Sequence, residues 1–170
     1  NFTEFFDQNE YLVHPLKISK INKSIFESQA TLIFSGLSRA SSKIISDQQK
    51  SVNNKSKLLH MHKVRDSSYS LKKALITSDF DEFQKIFRES WDAKKSTSKS
   101  VTNKKIKEIE KDLYANGASA IKVSGAGGGG FIIALSNSEN ILNLRRHVQK
   151  KYTYRNFSIV EQGAQTWKIK

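Results

Sequence analysis

The sequence predicts an α+β domain in which an antiparallel sheet is covered by helices. In the later half of the chain, the hydrophobic pattern reads as helix, strand, strand, helix, strand. Two short apolar runs, Ala120–Val123 and Phe131–Leu135, flank a glycine cluster as the strands of a hairpin would. With 170 residues, the chain is long enough to bury a real core.

The first part of the chain is predicted to hold two strands and two helices. Tyr11–Ile18 reads as a strand interrupted by Pro15, which indicates an edge strand or a strand end. Ala30–Phe34 is a short apolar run typical of a buried strand. Helical spacing then extends from Ser38 to about Ser51 and from about Lys57 to Ile76.

The middle of the chain predicts two further helices separated by a polar loop, Ser96–Asn103. Ser78 is the expected N-cap of the first helix, whose apolar stripe is Phe80, Phe83, Ile86, Phe87 and Trp91. In the second, the apolar residues Ile106, Ile109, Leu113 and Tyr114 precede a stop at Asn116 and Gly117. Both apolar stripes are predicted to face the hydrophobic core. Within the first stripe, Trp91 is the residue whose indole N–H could face a ligand.

After the predicted hairpin, the chain forms one more helix and one more strand. The helix is expected over Ser138–Lys150, and a last strand region begins at Phe157 and Ile159 and reaches Trp167.

The composition excludes several classes of protein. With no cysteine, disulfide scaffolds and thiolate metal sites are excluded, and a cytoplasmic location is the default expectation. No apolar run is long enough to span a bilayer, so no membrane partner is expected. The net charge of +13 is interpreted as dispersed surface charge. Because the chain starts at Asn1 and a strand follows at once, we expect an upstream portion.

The glycine loop, Ser124–Gly130, is the most informative motif. Its pattern matches G-x-G-x-x-G, but a strand follows where a dinucleotide-binding loop needs a helix. Phe131 and Ile132 stand where a phosphate loop of the P-loop type needs Lys and Ser or Thr. The remaining interpretation is a turn whose glycines adopt positive φ and bring the backbone close to another surface or a ligand. Its exposed N–H groups would suit anions.

Five segments in order resemble the GHMP small-molecule kinases. They are "KVSGAGGGGF" at Lys122–Phe131, "HPLKI" at His14–Ile18, "FSGLSRASSKII" at Phe34–Ile45, "ESWDAKK" at Glu89–Lys95 and "EQGAQTW" at Glu161–Trp167. The chain is similar to the C-terminal half of the bacterial sugar kinases related to D-glycero-D-manno-heptose 7-phosphate kinase. The resemblance implies a ferredoxin-like C-terminal domain over residues 21–170. Residues 1–20 would be a tail that belongs with an N-terminal ATP-binding domain.

The same resemblance implies that the full-length protein transfers the γ-phosphoryl group of ATP to a sugar anomeric hydroxyl. ATP and Mg²⁺ would be held mainly by the N-terminal half, which would also carry the catalytic residues, so this half alone is expected to be inactive. The glycine loop would lie at the interdomain cleft beside the phosphates. Its residues are Ser124, Gly125, Ala126, Gly127, Gly128, Gly129 and Gly130.

Six residues are candidates for substrate binding. A predicted helix begins at Ser38, Arg39 and Ser41, where hydroxyl groups and a guanidinium group would suit a sugar phosphate. An N-cap role for Ser38 and an ion pair for Arg39 would explain the same residues equally well. The resemblance favours binding for Arg39. Lys94 and Lys95 follow Trp91 at a helix end, where the helix dipole alone accounts for them unless they face the cleft.

No metal site is predicted, because His60 and His62 are two residues apart and point to different faces of a helix.

Two alternatives stay open beside the kinase. A basic α+β nucleic-acid-binding module would expose aromatic side chains on its central strands and carry an RNP motif, and only Phe131 fits. A non-catalytic GHMP paralogue would bind a metabolite without phosphorylating it. The expected partners are a sugar phosphate and ATP, with no nucleic acid, and a homodimer is left open.

Overall fold

The computed structural model describes residues 1–38, 41–155 and 158–168. The chain forms six strands and six helices within these ranges. They are β1 (Phe2–Phe5), β2 (Tyr11–His14), α1 (Lys20–Gln29), β3 (Ala30–Phe34), α2 (Ser41–Lys50), α3 (Lys55–Ile76), α4 (Phe80–Thr97), α5 (Lys104–Ala115), β4 (Ala120–Val123), β5 (Phe131–Leu135), α6 (Ile141–Lys151) and β6 (Thr153–Arg155). Short 3₁₀ turns occur at Asp7–Asn9 and Lys99–Val101.

The main sheet is antiparallel and has the strand order β4-β5-β3-β6. Taken from β3 onward, the strands follow the β-α-β-β-α-β order of a ferredoxin-like fold, with α2 to α5 filling the first helical connection. The register pairs Ile33 with Ile132, and Ile132 with Val123. The predicted α+β class, its antiparallel sheet and the hairpin at the glycines are confirmed.

Helices cover both faces of this sheet, because successive side chains of a strand point to opposite sides. Ile121 and Val123 belong to the larger core cluster, with Ile109 of α5 and Leu144 of α6. On the other face, Ala120 and its neighbours pack against α1, α3 and α4 through Phe26, Ala74, Phe83 and Phe87. The glycine loop lies at one end of this three-layer arrangement.

The start of α4 differs from the prediction. Asp79, not Ser78, is the N-cap, and its side chain accepts a hydrogen bond from the Glu82 N–H. Ser78 instead adopts a positive φ of 63°, and its Oγ accepts a hydrogen bond of 2.6 Å from Asn22 Nδ2. Ser and Asp are equally good caps in isolation, and the tertiary contact with Asn22 of α1 engages the serine hydroxyl.

Two other segments also differ. The predicted polar loop Ser96–Asn103 contains the last turn of α4 and a 3₁₀ turn, which ends at the fully buried Val101. The last strand was predicted at the wrong position, from Phe157 to Trp167. The observed strand β6 lies earlier, at Thr153–Arg155, and residues 158–168 contain no strand. Phe157 itself is outside the described residues.

The N-terminal strands form a separate hairpin, in which Phe2 faces His14 and Phe5 faces Tyr11. β2 ends immediately before Pro15, as expected for a residue without a backbone N–H. The hairpin contacts α3, since Tyr69 Oη donates a 2.9 Å hydrogen bond to Glu4, and Lys72 Nζ lies 4.0 Å from the Phe2 ring centroid. The assignment of residues 1–20 to another domain stays a prediction.

None of the helices in the described ranges has the length and apolar character needed to cross a membrane.

Candidate functional site at the glycine loop

The glycine loop is closed at its base by the β4–β5 hairpin and by β3. The Ser124 N–H donates to the Phe131 carbonyl at 2.8 Å, and the Ser35 N–H donates to the Gly130 carbonyl at 2.9 Å. Gly125, Gly127, Gly128 and Gly130 all have positive φ, between 70° and 109°. Glycine adopts this conformation without the cost that a β-carbon brings, so the loop geometry requires the residue type.

The second half of the loop is buried against the chain's own backbone. Gly128 donates to the Val101 carbonyl and Gly130 to the Leu37 carbonyl, each at 2.7 Å. A β-carbon on Gly127 would lie 2.7 Å from the Val101 oxygen, and one on Gly129 would lie 2.9 Å from the Leu37 oxygen. The close approach that the glycines permit therefore occurs, at these two positions, between segments of this chain.

Asn103 holds the buried half in place from the start of α5. Its Nδ2 donates to the Gly128 carbonyl at 2.8 Å, while its Oδ1 accepts from the Ile106 N–H at 3.0 Å as the helix N-cap. One amide side chain thus caps α5 and fixes the loop.

The first half of the loop, Ser124–Ala126, is open to solvent, and Gly127 stands at its junction with the buried half, Gly127–Gly130. Ser124 and Gly125 are exposed, and within the described ranges no acceptor receives a hydrogen bond from the N–H of Gly125, Ala126 or Gly127. Consecutive free N–H groups beside a residue of positive φ can form a concavity that favours anions. This half retains the donors that a phosphate group needs.

One lysine contacts the open half, and a second lies near the first. Lys94 Nζ donates to the Gly125 carbonyl, and Lys122 Nζ donates to Ser90 Oγ at 3.0 Å. Burial lowers the pKa of Lys94. Burial, together with the charge of Lys94, lowers the pKa of Lys122 to about 8. None of the described carboxylates forms an ion pair with either lysine.

Lys95, the next residue, has a different environment. Its Nζ lies 2.8 Å from Asp92 and 2.6 Å from Glu110. Burial opposes the charged form, but the hydrogen bonds to Asp92 and Glu110 outweigh it and raise the pKa of Lys95. The positive charge of Lys95 is therefore balanced by two carboxylates of the protein, whereas none of the described carboxylates balances the charge of Lys94.

Trp91 exposes none of its surface, and its Nε1 has no hydrogen-bond partner among the described residues. The Lys95 Nζ lies 5.7 Å from the centroid of its ring. In this conformation the indole packs in the core, and its predicted contact with a ligand stays a prediction.

Of the other predicted substrate-binding residues, Ser38 lies next to Leu37, which contacts the buried half of the loop. Ser38 and Ser41 are exposed, and they follow Leu37, whose carbonyl receives the Gly130 N–H. Arg39 falls outside the described residues. The structure thus brings Ser38, next to Leu37, and the glycine loop to the same end of the sheet.

Comparison with known proteins finds a family whose sequences match the region of the glycine loop. Residues 71–153 match the family described as GHMP kinases C terminal, a segment that starts in α3, includes the whole glycine loop and ends at the first residue of β6. Within residues 71–153, the chain thus matches a GHMP kinase C-terminal domain. The resemblance seen in the five sequence segments is confirmed.

Individual GHMP kinases align over almost the entire chain. It is 31% identical over 170 residues to a D-glycero-alpha-D-manno-heptose 7-phosphate kinase of Campylobacter jejuni, covering 99% of this chain and 50% of that protein. A solved structure of a D-glycero-D-manno-heptose 1-phosphate kinase from Bacteroides thetaiotaomicron is 26% identical, with a TM-score of 0.69, over 99% of this chain and 44% of that one. The chain thus spans about half the length of the relatives it matches.

A more distant GHMP kinase shares the fold alone. The structure of L. major mevalonate kinase in complex with R-mevalonate has a TM-score of 0.65 at 16% identity, over 85% of this chain and 43% of that one.

Sequence analysis missed three residues of the candidate site: Ser90, Lys122 and Asn103. Lys122 could have been found, because the strand period places it on the same face as Ala120, where a lysine is unusual. The Asn103 side chain precedes a predicted helix, which is a cap signal, but its bond to Gly128 is a tertiary contact.

Proposed function

We propose that this chain is the C-terminal domain of an ATP-dependent sugar kinase that phosphorylates the anomeric hydroxyl of a heptose 7-phosphate-like acceptor. The observation that carries the proposal is the open half of the glycine loop, where free N–H groups lie beside two lysines with no described carboxylate partner. The similarity to a heptose 7-phosphate kinase over 99% of the chain supports the choice of acceptor. We also propose a cytoplasmic location, on the absence of cysteine.

The residues of the open half fit a phosphate group. When bound, ATP with Mg²⁺ supplies the phosphoryl group and neutralises part of its charge. The N–H groups of Gly125, Ala126 and Gly127 would donate to phosphate oxygens, and Lys94 would add a positive charge next to them. The described residues contain no cluster of three or more His, Asp or Glu side chains able to hold a metal ion, so we assign no magnesium ligand to this chain.

In this proposal the chain positions groups and stabilises negative charge. The acceptor oxygen forms a bond to the γ-phosphorus as the bond to the bridging oxygen of ADP breaks, and the hydroxyl proton leaves to a base or to water. Charge on the transferred oxygens is then stabilised by donors that the fold already holds in place. The buried half of the loop fixes those donors through Val101 and Leu37.

The remaining candidates take supporting positions in the proposal. Ser38, Arg39 and Ser41 would contact the acceptor from the segment that adjoins the loop. Lys94 is better placed than Lys95 or Trp91 for direct contact, since Lys95 is paired with two carboxylates and Trp91 is fully buried.

Phosphorus NMR of the full-length protein with Mg-ATP tests the function. The acceptor panel is heptose 7-phosphate, galactose, fucose and mevalonate. We expect a new anomeric phosphate signal with the heptose alone. Transfer to a different acceptor would refute the proposed branch, and intact ATP with all four would favour a non-catalytic paralogue.

A further inference from the structure

We infer that Lys94, Lys122 and Ser90 form a phosphate-binding subsite beside the open half of the glycine loop. It takes a phosphate group, carried either by a phosphorylated acceptor or by ATP. The inference rests on the proposed function only for the identity of that carrier. The subsite itself follows from the placement of three side chains on β4 and α4.

The position of Lys122 is the first argument. It lies in β4, on the face that packs against α4, and its Nζ is 5.5 Å from the centroid of the Phe87 ring. A lysine in such a place ordinarily has a carboxylate partner. Here its only described hydrogen-bond partner is the neutral Ser90 hydroxyl, itself 2% exposed.

The second argument is that a second cation lies nearby. Lys94 is one turn of α4 beyond Ser90, and its charge is close enough to oppose protonation of Lys122. Two like charges near each other and partly withdrawn from water destabilise the protein unless an anion lies between them. A phosphate dianion would satisfy both ammonium groups.

The third argument is the surroundings of this pair. Lys94 already donates to the carbonyl of Gly125, the residue at which the free N–H groups begin. Ser90 also lines a cavity of about 660 Å³ between α3 and α4, whose lining includes His60 and Ser67 together with the carboxylates of Asp66, Glu82, Glu89 and Asp92. A phosphate at the lysines would have the backbone donors of the loop beside it. The acidic cavity would accept hydrogen bonds from the hydroxyl groups of a polyhydroxylated molecule, and not a second phosphate.

Titration of the full-length protein with inorganic phosphate tests the subsite without requiring turnover. The ¹³Cε signals of its lysines report binding at each ammonium group. We expect Lys122→Met and Lys94→Met each to raise the dissociation constant at least about tenfold, because each removes a charge-assisted hydrogen bond. Lys85→Gln is the matched control on α4, since Lys85 is exposed and paired with Glu82. Equal affinity in all four proteins would overturn the inference, as would the absence of phosphate-induced shifts in the wild type.

Steady-state kinetics of the same variants identify the carrier. A raised KM for the sugar phosphate with an unchanged KM for ATP assigns the subsite to the acceptor, and the reverse pattern assigns it to the nucleotide. Unchanged KM values for both would overturn its role as a substrate subsite. If no acceptor is phosphorylated, the proposed function fails, but the phosphate titration still decides whether the subsite exists.

Discussion

The two halves of the glycine loop have opposite environments, although their sequence is nearly uniform. Gly128 and Gly130 donate their N–H groups to Val101 and Leu37, and Gly127 and Gly129 leave no room for a β-carbon. Gly125 is exposed, and a β-carbon there would meet nothing within 4 Å. One half is part of the protein's packing, and the other presents donors to solvent near two lysines that form no ion pair with a described carboxylate. A run of glycines can therefore serve two purposes within seven residues.

The largest expected effect is a difference in stability between alanine substitutions in the two halves of the loop. We expect Gly127→Ala to lower the free energy of unfolding by about 3 kcal/mol, because the new methyl group meets the Val101 carbonyl and φ is 109°. Gly125→Ala keeps only the cost of a positive φ, about 1 kcal/mol. Urea unfolding followed by circular dichroism measures both. Equal losses would show that the contact with Val101 does not distinguish the two halves.

The next effect concerns the side chain that fixes the buried half. Asn103→Ala removes a helix cap and the bond to the Gly128 carbonyl, so we expect a loss of about 2 kcal/mol. Asn54→Ala is the control, because Asn54 caps α3 through the Lys57 N–H and contacts none of the described loop residues, which predicts a loss of about 1 kcal/mol. The two variants should be compared by thermal or urea unfolding. If Asn54→Ala lowers the free energy of unfolding as much as Asn103→Ala does, the hydrogen bond from Asn103 to the loop contributes nothing to stability.

The open half can be tested by pH, because the pKa of Lys122 is lowered to about 8 from an ordinary value of 10.5. Between these values the unfolded chain binds more protons than the folded one, so the free energy of unfolding should rise with pH. Below about pH 8 the cost of the buried charge is fully present. We expect Lys122→Met to remove this rise and to stabilise the protein at pH 7 by about 1–2 kcal/mol.

Urea unfolding at pH 7 and pH 10 measures that difference. Lys85→Gln should keep the rise with pH, since Lys85 is exposed and the hydrogen bond to Glu82 raises its pKa instead of lowering it. A parallel pH response in wild type and Lys122→Met would mean that Lys122 titrates normally in the folded protein.

The smallest effect compares the neighbouring lysines. Lys94→Met should change the free energy of unfolding by no more than about 0.5 kcal/mol, because losing the hydrogen bond to the Gly125 carbonyl and removing the repulsion with Lys122 oppose each other, and no ion pair with a described carboxylate is broken. Lys95→Met should cost about 1 kcal/mol, because it leaves the mostly buried Glu110 without its partner. Unfolding midpoints at pH 7 decide the order, and a larger loss in Lys94→Met would contradict the contrast.

The sequence was a good guide to regular elements whose apolar pattern is local. β3, β4 and β5 have the predicted bounds, and α5 ends at the predicted Asn116 and Gly117. It was a poor guide where a partner distant in the chain decides the structure. Ser78 bonds to Asn22, 56 residues away, and the cap passes to Asp79. The final strand was misplaced because β6 is only three residues long and its pairing with β3 is non-local.

What the sequence determined by itself is the fold class, the glycine hairpin and the resemblance to GHMP kinases. Each depends on residue periodicity or on a contiguous motif, which a chain displays before it folds. Tertiary structure decided which glycines are buried, which lysine pairs with carboxylates and which residue accepts the hydrogen bond of Lys122. These depend on Val101, Leu37, Glu110 and Ser90, which lie outside the loop. Burial and pairing are properties of groups that folding brings together, and so the electrostatic character of Lys94 and Lys122 exists only in the folded domain.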